Sequence, residues 1–81
     1  MKNNPLKEKS FDFAIRIVNL YRFLITAKKE YVRSKQLLKS GTAVGALARE
    51  AEHAESKADF IHKLSIAQKE CNESLFWLEL L

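Results

Sequence analysis

Residues 34–54, SKQLLKSGTAVGALAREAEHA, decide the fold. Wound as one helix at about 100° per residue, they gather Leu37, Leu38, Gly41, Val44, Gly45, Ala48 and Ala51 on one side. Lys35, Lys39 and Arg49 gather on the other, with Lys28 in phase with them. The first flank must be covered by other helices, and the second faces outward. A glycine inside a helix costs about 1 kcal/mol relative to alanine. Two of them at i and i+4, beside Ala48, make Gly41, Gly45 and Ala48 candidates for a close helix approach. A break at Ser40-Gly41-Thr42 is the competing reading. The apolar flank stays in phase across both glycines, which favours one continuous helix over about residues 29–54.

Outward from this rod, the pattern predicts a helix on either side. Helix 1 covers about residues 6–27, with Pro5 at its start and either Asn4 or Ser10 as its N-cap. Phe11, Ala14, Ile15, Val18 and Ile25 form one apolar stripe along it, and Phe13, Ile17, Leu20 and Leu24 form a second. An apolar arc that wide implies burial against more than one neighbour. Helix 3 covers about residues 56–81, with Ser56 as N-cap and Asp59 three residues on, a partial capping box. Its main stripe is Phe60, Ile61, Leu64, Ala67, Cys71, Leu75 and Leu78. Ile66, Trp77 and Leu80 lie off that stripe beside Glu70 and Glu73, and they mark an uncovered face for an oligomer or partner contact.

The 81 residues form a single all-α domain, 1–81, and so small a core needs help. One cysteine, Cys71, rules out an internal disulfide framework, leaving association as the favoured supplement. The N-terminal ten residues are polar and no apolar run is long enough to cross a bilayer, so a cytoplasmic protein that does not enter membranes is expected. The net charge of +4 is split unevenly, at +8 over residues 1–49 and −4 over residues 50–81. Such segregation can orient subunits or concentrate positive potential for a polyanion.

Catalytic chemistry finds no foothold. Glu50-x-x-His53 and Asp59-x-x-His62 have the carboxylate–imidazole spacing of di-iron bundles, but both pairs project away from the apolar seams, so no metal site or other cofactor is expected. Neither histidine has a plausible nucleophile, Cys71 lies on an apolar stripe without a basic neighbour, and the glycines lack the context of a phosphate loop. An enzyme is not expected. The basic stripe Lys28, Lys35, Lys39 and Arg49, with Tyr31 beside it, suits a nucleic-acid backbone, RNA or DNA, held by charge. An adaptor recruiting a protein through Ile66, Trp77 and Leu80 is the alternative.

Several segments in order carry a family resemblance: Lys9-Ser10-Phe11 with Phe13-Ala14-Ile15-Arg16-Ile17-Val18, Ser34-Lys35-Gln36-Leu37-Leu38-Lys39-Ser40-Gly41-Thr42, Arg49-Glu50-Ala51-Glu52-His53-Ala54, Ser56-Lys57-Ala58-Asp59-Phe60-Ile61 and Trp77-Leu78-Glu79-Leu80-Leu81. Together they resemble the bacterial four helix bundle protein family, also called the 23S rRNA intervening sequence protein or S23 ribosomal protein family. The resemblance implies an antiparallel up-down four-helix bundle that assembles as a homo-oligomer, a ring-like pentamer, with no catalytic activity. A related branch, the accessory proteins of diversity-generating retroelements, implies nucleic acid and a reverse transcriptase or other protein as partners. The family pattern continues into a fourth helix. Three helices are therefore expected here, with the fourth missing or supplied by a neighbour.

Overall fold

The computed structural model describes residues 4–81 and consists of three α-helices: α1 (Pro5–Ala27), α2 (Val32–Glu52) and α3 (Lys57–Leu80). Asn4 starts α1. Its Oδ1 accepts from the Lys7 amide at 3.1 Å with Pro5 behind it, where a missing N–H costs nothing. Ser10, the other candidate cap, lies inside the helix, buried, with its hydroxyl donating to the Lys7 carbonyl at 3.1 Å.

Helix 2 begins at Val32 rather than near residue 29, which takes Lys28 off the α2 face and into the turn. The cause is a left-handed backbone at Lys29 (φ 56), which reverses the chain while the Lys28 and Glu30 amides both donate to the Leu24 carbonyl, at 3.2 and 3.0 Å. Tyr31 provides no side-chain cap for α2. Glu30 does so instead: its carboxylate accepts from the Ser34 amide at 2.8 Å, the Arg33 amide at 3.4 Å and Arg33 Nε at 3.3 Å. At the other connection, Ser56 Oγ accepts from the Asp59 amide at 3.0 Å and Asp59 Oδ2 accepts from the Glu55 amide at 3.2 Å, a reciprocal cap that satisfies two amides.

α2 is unbroken through both glycines and forms the middle of the molecule. Against α1 it packs by lacking atoms. A β-carbon on Gly41 would stand 2.8 Å from Ile17 Cγ1, and one on Gly45 would stand 3.2 Å from the Ser10 carbonyl oxygen. Ala48, one turn on, is 4% exposed. Against α3 the contact is polar at its centre. Ser74 Oγ lies 2.9 Å from Ser40 Oγ and 2.9 Å from the Glu70 carbonyl, and Ser40 Oγ reaches the Leu37 carbonyl at 3.4 Å, with both serines buried. Lys63 Nζ bonds Glu50 Oε1 at 3.2 Å on the outer edge of that contact, and Arg33 Nη1 donates to the Leu80 carbonyl at 3.4 Å at its end.

Burial at Ser74 rotates α3 away from the orientation its apolar stripe suggests. The face carrying Lys63, Glu70 and Trp77 turns toward α2, so Ile66 and Trp77 are half-buried. Of the three residues expected to be uncovered, Leu80 is the one that is exposed, at 47%. Phe60, Ile61, Leu75 and Phe76 are exposed in their place.

No Cα of α1 comes within 8 Å of one in α3. An open trough of about 540 Å³ near one end is walled by Leu6, Ala48, Ala51 and Phe60. In an up-down bundle this diagonal gap is where a fourth helix lies. Among the described residues no helix is long and apolar enough to cross a membrane.

Candidate nucleic-acid interface

The four cations singled out on the sequence separate into two groups. Lys35 and Lys39 are one turn apart on the outer face of α2, both exposed. Lys28, in the turn, is exposed as well, with Nζ 6.0 Å from the centroid of the Phe23 ring, and Lys29 follows it. The antiparallel register of α1 and α2, with Ser10 opposite Gly45 and Ile17 opposite Gly41, sets Arg22 level with Lys35. Among the described residues none of Arg22, Lys28, Lys29, Lys35 and Lys39 has a carboxylate oxygen within 4.0 Å. Their charge is open to solvent. Arg33, beside them, is neutralised by Glu30 at 3.3 Å.

Arg49 belongs elsewhere. It lies ten residues beyond Lys39, about 15 Å along the axis, and its guanidinium carbon sits 5.6 Å from the Phe11 ring centroid. It edges a shallow cleft that also takes in Glu50, His53, Glu55, Asp59 and Lys63. That cleft answers the carboxylate–imidazole spacings seen on the sequence: Glu50, His53 and Asp59 meet there, and His62 is not part of it. Glu50 is bound to Lys63, and no three His, Cys, Asp or Glu side chains among the described residues converge as metal ligands. Carboxylates around Arg49 offset its charge, whereas among the described residues Arg22, Lys28, Lys29, Lys35 and Lys39 have no carboxylate oxygen within 4.0 Å.

Among the described residues two carboxylates, Glu30 and Glu52, have a lowered pKa, and both hold structure. Desolvation opposes ionisation of Glu30, but hydrogen bonds from Ser34 and Arg33 outweigh it and lower its pKa. The Lys7 ammonium, 3.0 Å from Glu52 Oε1, lowers the Glu52 pKa against a smaller desolvation effect.

Sequence reasoning missed Arg22 as a member of the basic cluster, because it sits on another helix and only the α1–α2 register brings it alongside. Ser40 and Ser74 were missed as core residues, since no one-helix pattern distinguishes a buried hydroxyl from a solvated one.

Two helices packed antiparallel against a small-residue middle helix, with a diagonal gap between them and a cluster of exposed cations, define a helical-bundle protein. Residues 2–81 match the family model described as 23S rRNA-intervening sequence protein, and the chain belongs to that family. A crystal structure of a protein with unknown function from the S23 ribosomal protein family of Bacteroides thetaiotaomicron VPI-5482 superposes with a TM-score of 0.92 at 63% identity. The superposition covers 94% of this chain and 70% of that one. Comparison with curated proteins gives no match.

Proposed function

We propose that the protein is a non-enzymatic, oligomeric helical module that holds RNA or DNA by charge. The binding face comprises Lys35 and Lys39 of α2 with Lys28 and Lys29 of the adjoining turn, and Arg49 contributes only at its far margin. The observation that carries this is a cluster of exposed cations on α2 and the α1–α2 turn with, among the described residues, no carboxylate oxygen within 4.0 Å. Contacts of this kind position a phosphate backbone without reading bases. Association supports the function in two ways: it covers apolar side chains that a lone chain leaves wet, and it repeats the cationic face so that phosphate contacts add.

A salt titration with unrelated RNA and duplex DNA of equal length tests it. Binding should weaken steeply with salt and depend little on sequence. Lys35→Glu combined with Lys39→Glu should lower affinity about tenfold or more and reduce the log–log salt slope by about 2. Unchanged affinity in that variant would remove the function from this face. The adaptor alternative predicts no polynucleotide binding at any salt.

A further inference from the structure

Large side chains that the core does not use gather around the α1–α2 turn. Phe23 is 52% exposed, Tyr31 58% and Val32 73%. Leu24 is buried against α2, and the step of about 100° back to Phe23 carries that ring round to the outside of α1. The same segment holds the cations of the binding face. From Arg22 to Lys39 the sequence has six cations and a single carboxylate, Glu30. That carboxylate is folded back onto the start of α2, accepting from the Ser34 amide at 2.8 Å and from Arg33 Nε at 3.3 Å. Lys28 joins rings and charge. Its Nζ stands 6.0 Å from the Phe23 ring centroid, and among the described residues it has no carboxylate oxygen within 4.0 Å. An open aromatic plane and a free ammonium therefore lie side by side.

We propose that this end of the molecule takes single-stranded nucleic acid, with one unpaired base stacked on Phe23 and another on Tyr31 while Arg22, Lys28, Lys29 and Lys35 hold the phosphates. This deepens the charge-based reading above and rests on it. A duplex offers its phosphates, but neighbouring base pairs occupy its base faces, so exposed rings add nothing to duplex binding. Unpaired bases have free π-faces. Stacking on an aromatic side chain tolerates every base and adds to the phosphate contacts of a basic surface. The turn places the two rings for this: Phe23 lies near the end of α1, Tyr31 precedes α2, and the left-handed Lys29 (φ 56) between them reverses the chain, which brings both to one end of the molecule. Stacking does not read the sugar, so strands of RNA and of DNA are taken alike.

Fluorescence anisotropy with labelled single-stranded RNA, single-stranded DNA and duplex DNA of equal length and mixed sequence tests this. Both single strands should bind more tightly than the duplex. Phe23→Ala and Tyr31→Ala should each lower single-strand affinity about fivefold or more, with duplex affinity and the salt slope unchanged, because neither removes a phosphate contact. Phe23→Tyr and Tyr31→Phe should keep the affinity. A strand of equal charge built from abasic nucleotides should bind wild type and the double alanine variant alike. Both rings are more than half exposed, so the variants should fold, which circular dichroism checks. Unchanged single-strand affinity in both alanine variants overturns the proposal, as does a loss confined to one sugar. An equal loss on strand and duplex, with a fall in mass by light scattering, would place the rings in subunit contacts and overturn it as well. In each of these cases, loss of binding when Lys35→Glu and Lys39→Glu are combined leaves the charge-based function standing. Absence of polynucleotide binding at any salt brings down that function, and this proposal with it.

Discussion

The two sides of α2 solve one problem by opposite means. Toward α1 the helices approach because atoms are missing: Gly41 leaves Ile17 its place, and Gly45 leaves room for the Ser10 carbonyl. Toward α3 they approach through a hydroxyl pair, Ser40 and Ser74, each fixed by a carbonyl of its own helix. The first contact accepts a weaker helix for close dispersion contact. The second keeps strong helix geometry and requires that every buried hydroxyl find a partner. The α1 side should therefore be intolerant of added volume, and the α3 side sensitive to lost hydrogen bonds.

The largest effect is expected from adding volume at Gly41. Ile17 is 3% exposed and β-branched, so it has little freedom to turn away from a new methyl group. Gly41→Val should destabilise by about 3 kcal/mol in urea titration despite the gain in helix propensity. Gly41→Ala should cost about 1 kcal/mol less when Ile17→Ala is also present, because the crowding atoms are Ile17 Cγ1 and Cγ2. Strict additivity of the two changes would mean that α1 does not press on Gly41, and the contrast between the sides would fail.

A smaller effect follows on the other side. Ser74→Ala removes the donor shared between Ser40 and Glu70 and should cost about 1–2 kcal/mol. Adding Ser40→Ala should cost less than its effect alone, since its partner is already gone. A Ser74→Ala loss as large as that of Gly41→Val would show that the two contacts are not different in kind.

The same contrast explains what was legible. Gly41, Gly45 and Ala48 stand out because a helix rarely tolerates glycine without a reason, and the i, i+4 spacing names the reason. Continuity of α2 followed from the phase of its apolar flank. The all-α class followed from composition, and Ser56 with Asp59 from a local motif. Ser40 and Ser74 left no such trace: a serine is chemically the same in water and in the core, and only the partner 34 residues away distinguishes them. Misjudging Ser74 misplaced the rotation of α3, and with it Ile66 and Trp77. The α1–α2 turn was obscure for a related reason. Its reversal uses Lys29 in a left-handed conformation rather than a glycine, and its cap is Glu30, a residue type that does not announce a helix start. Lys28 was placed in phase with the basic face of the helix on that account, and Arg22 was left out of the cationic end.

The connections repeat the contrast in a form that pH can separate. α2 is capped by an ionised carboxylate, Glu30, and α3 by a hydroxyl, Ser56. The Glu30 pKa is held below its ordinary value near 4.5, so its contribution to stability is fully present above that value and is lost as pH falls through the lowered one. Glu30→Gln should lower the melting temperature at pH 7, and the gap from wild type should close as the pH drops below 4. Ser56→Ala should cost about 1 kcal/mol, with no change in that gap over the same range, because a hydroxyl does not titrate there. Parallel pH profiles for the two variants would mean that the Glu30 charge contributes nothing to the cap, and that the α1–α2 turn is held by backbone geometry alone.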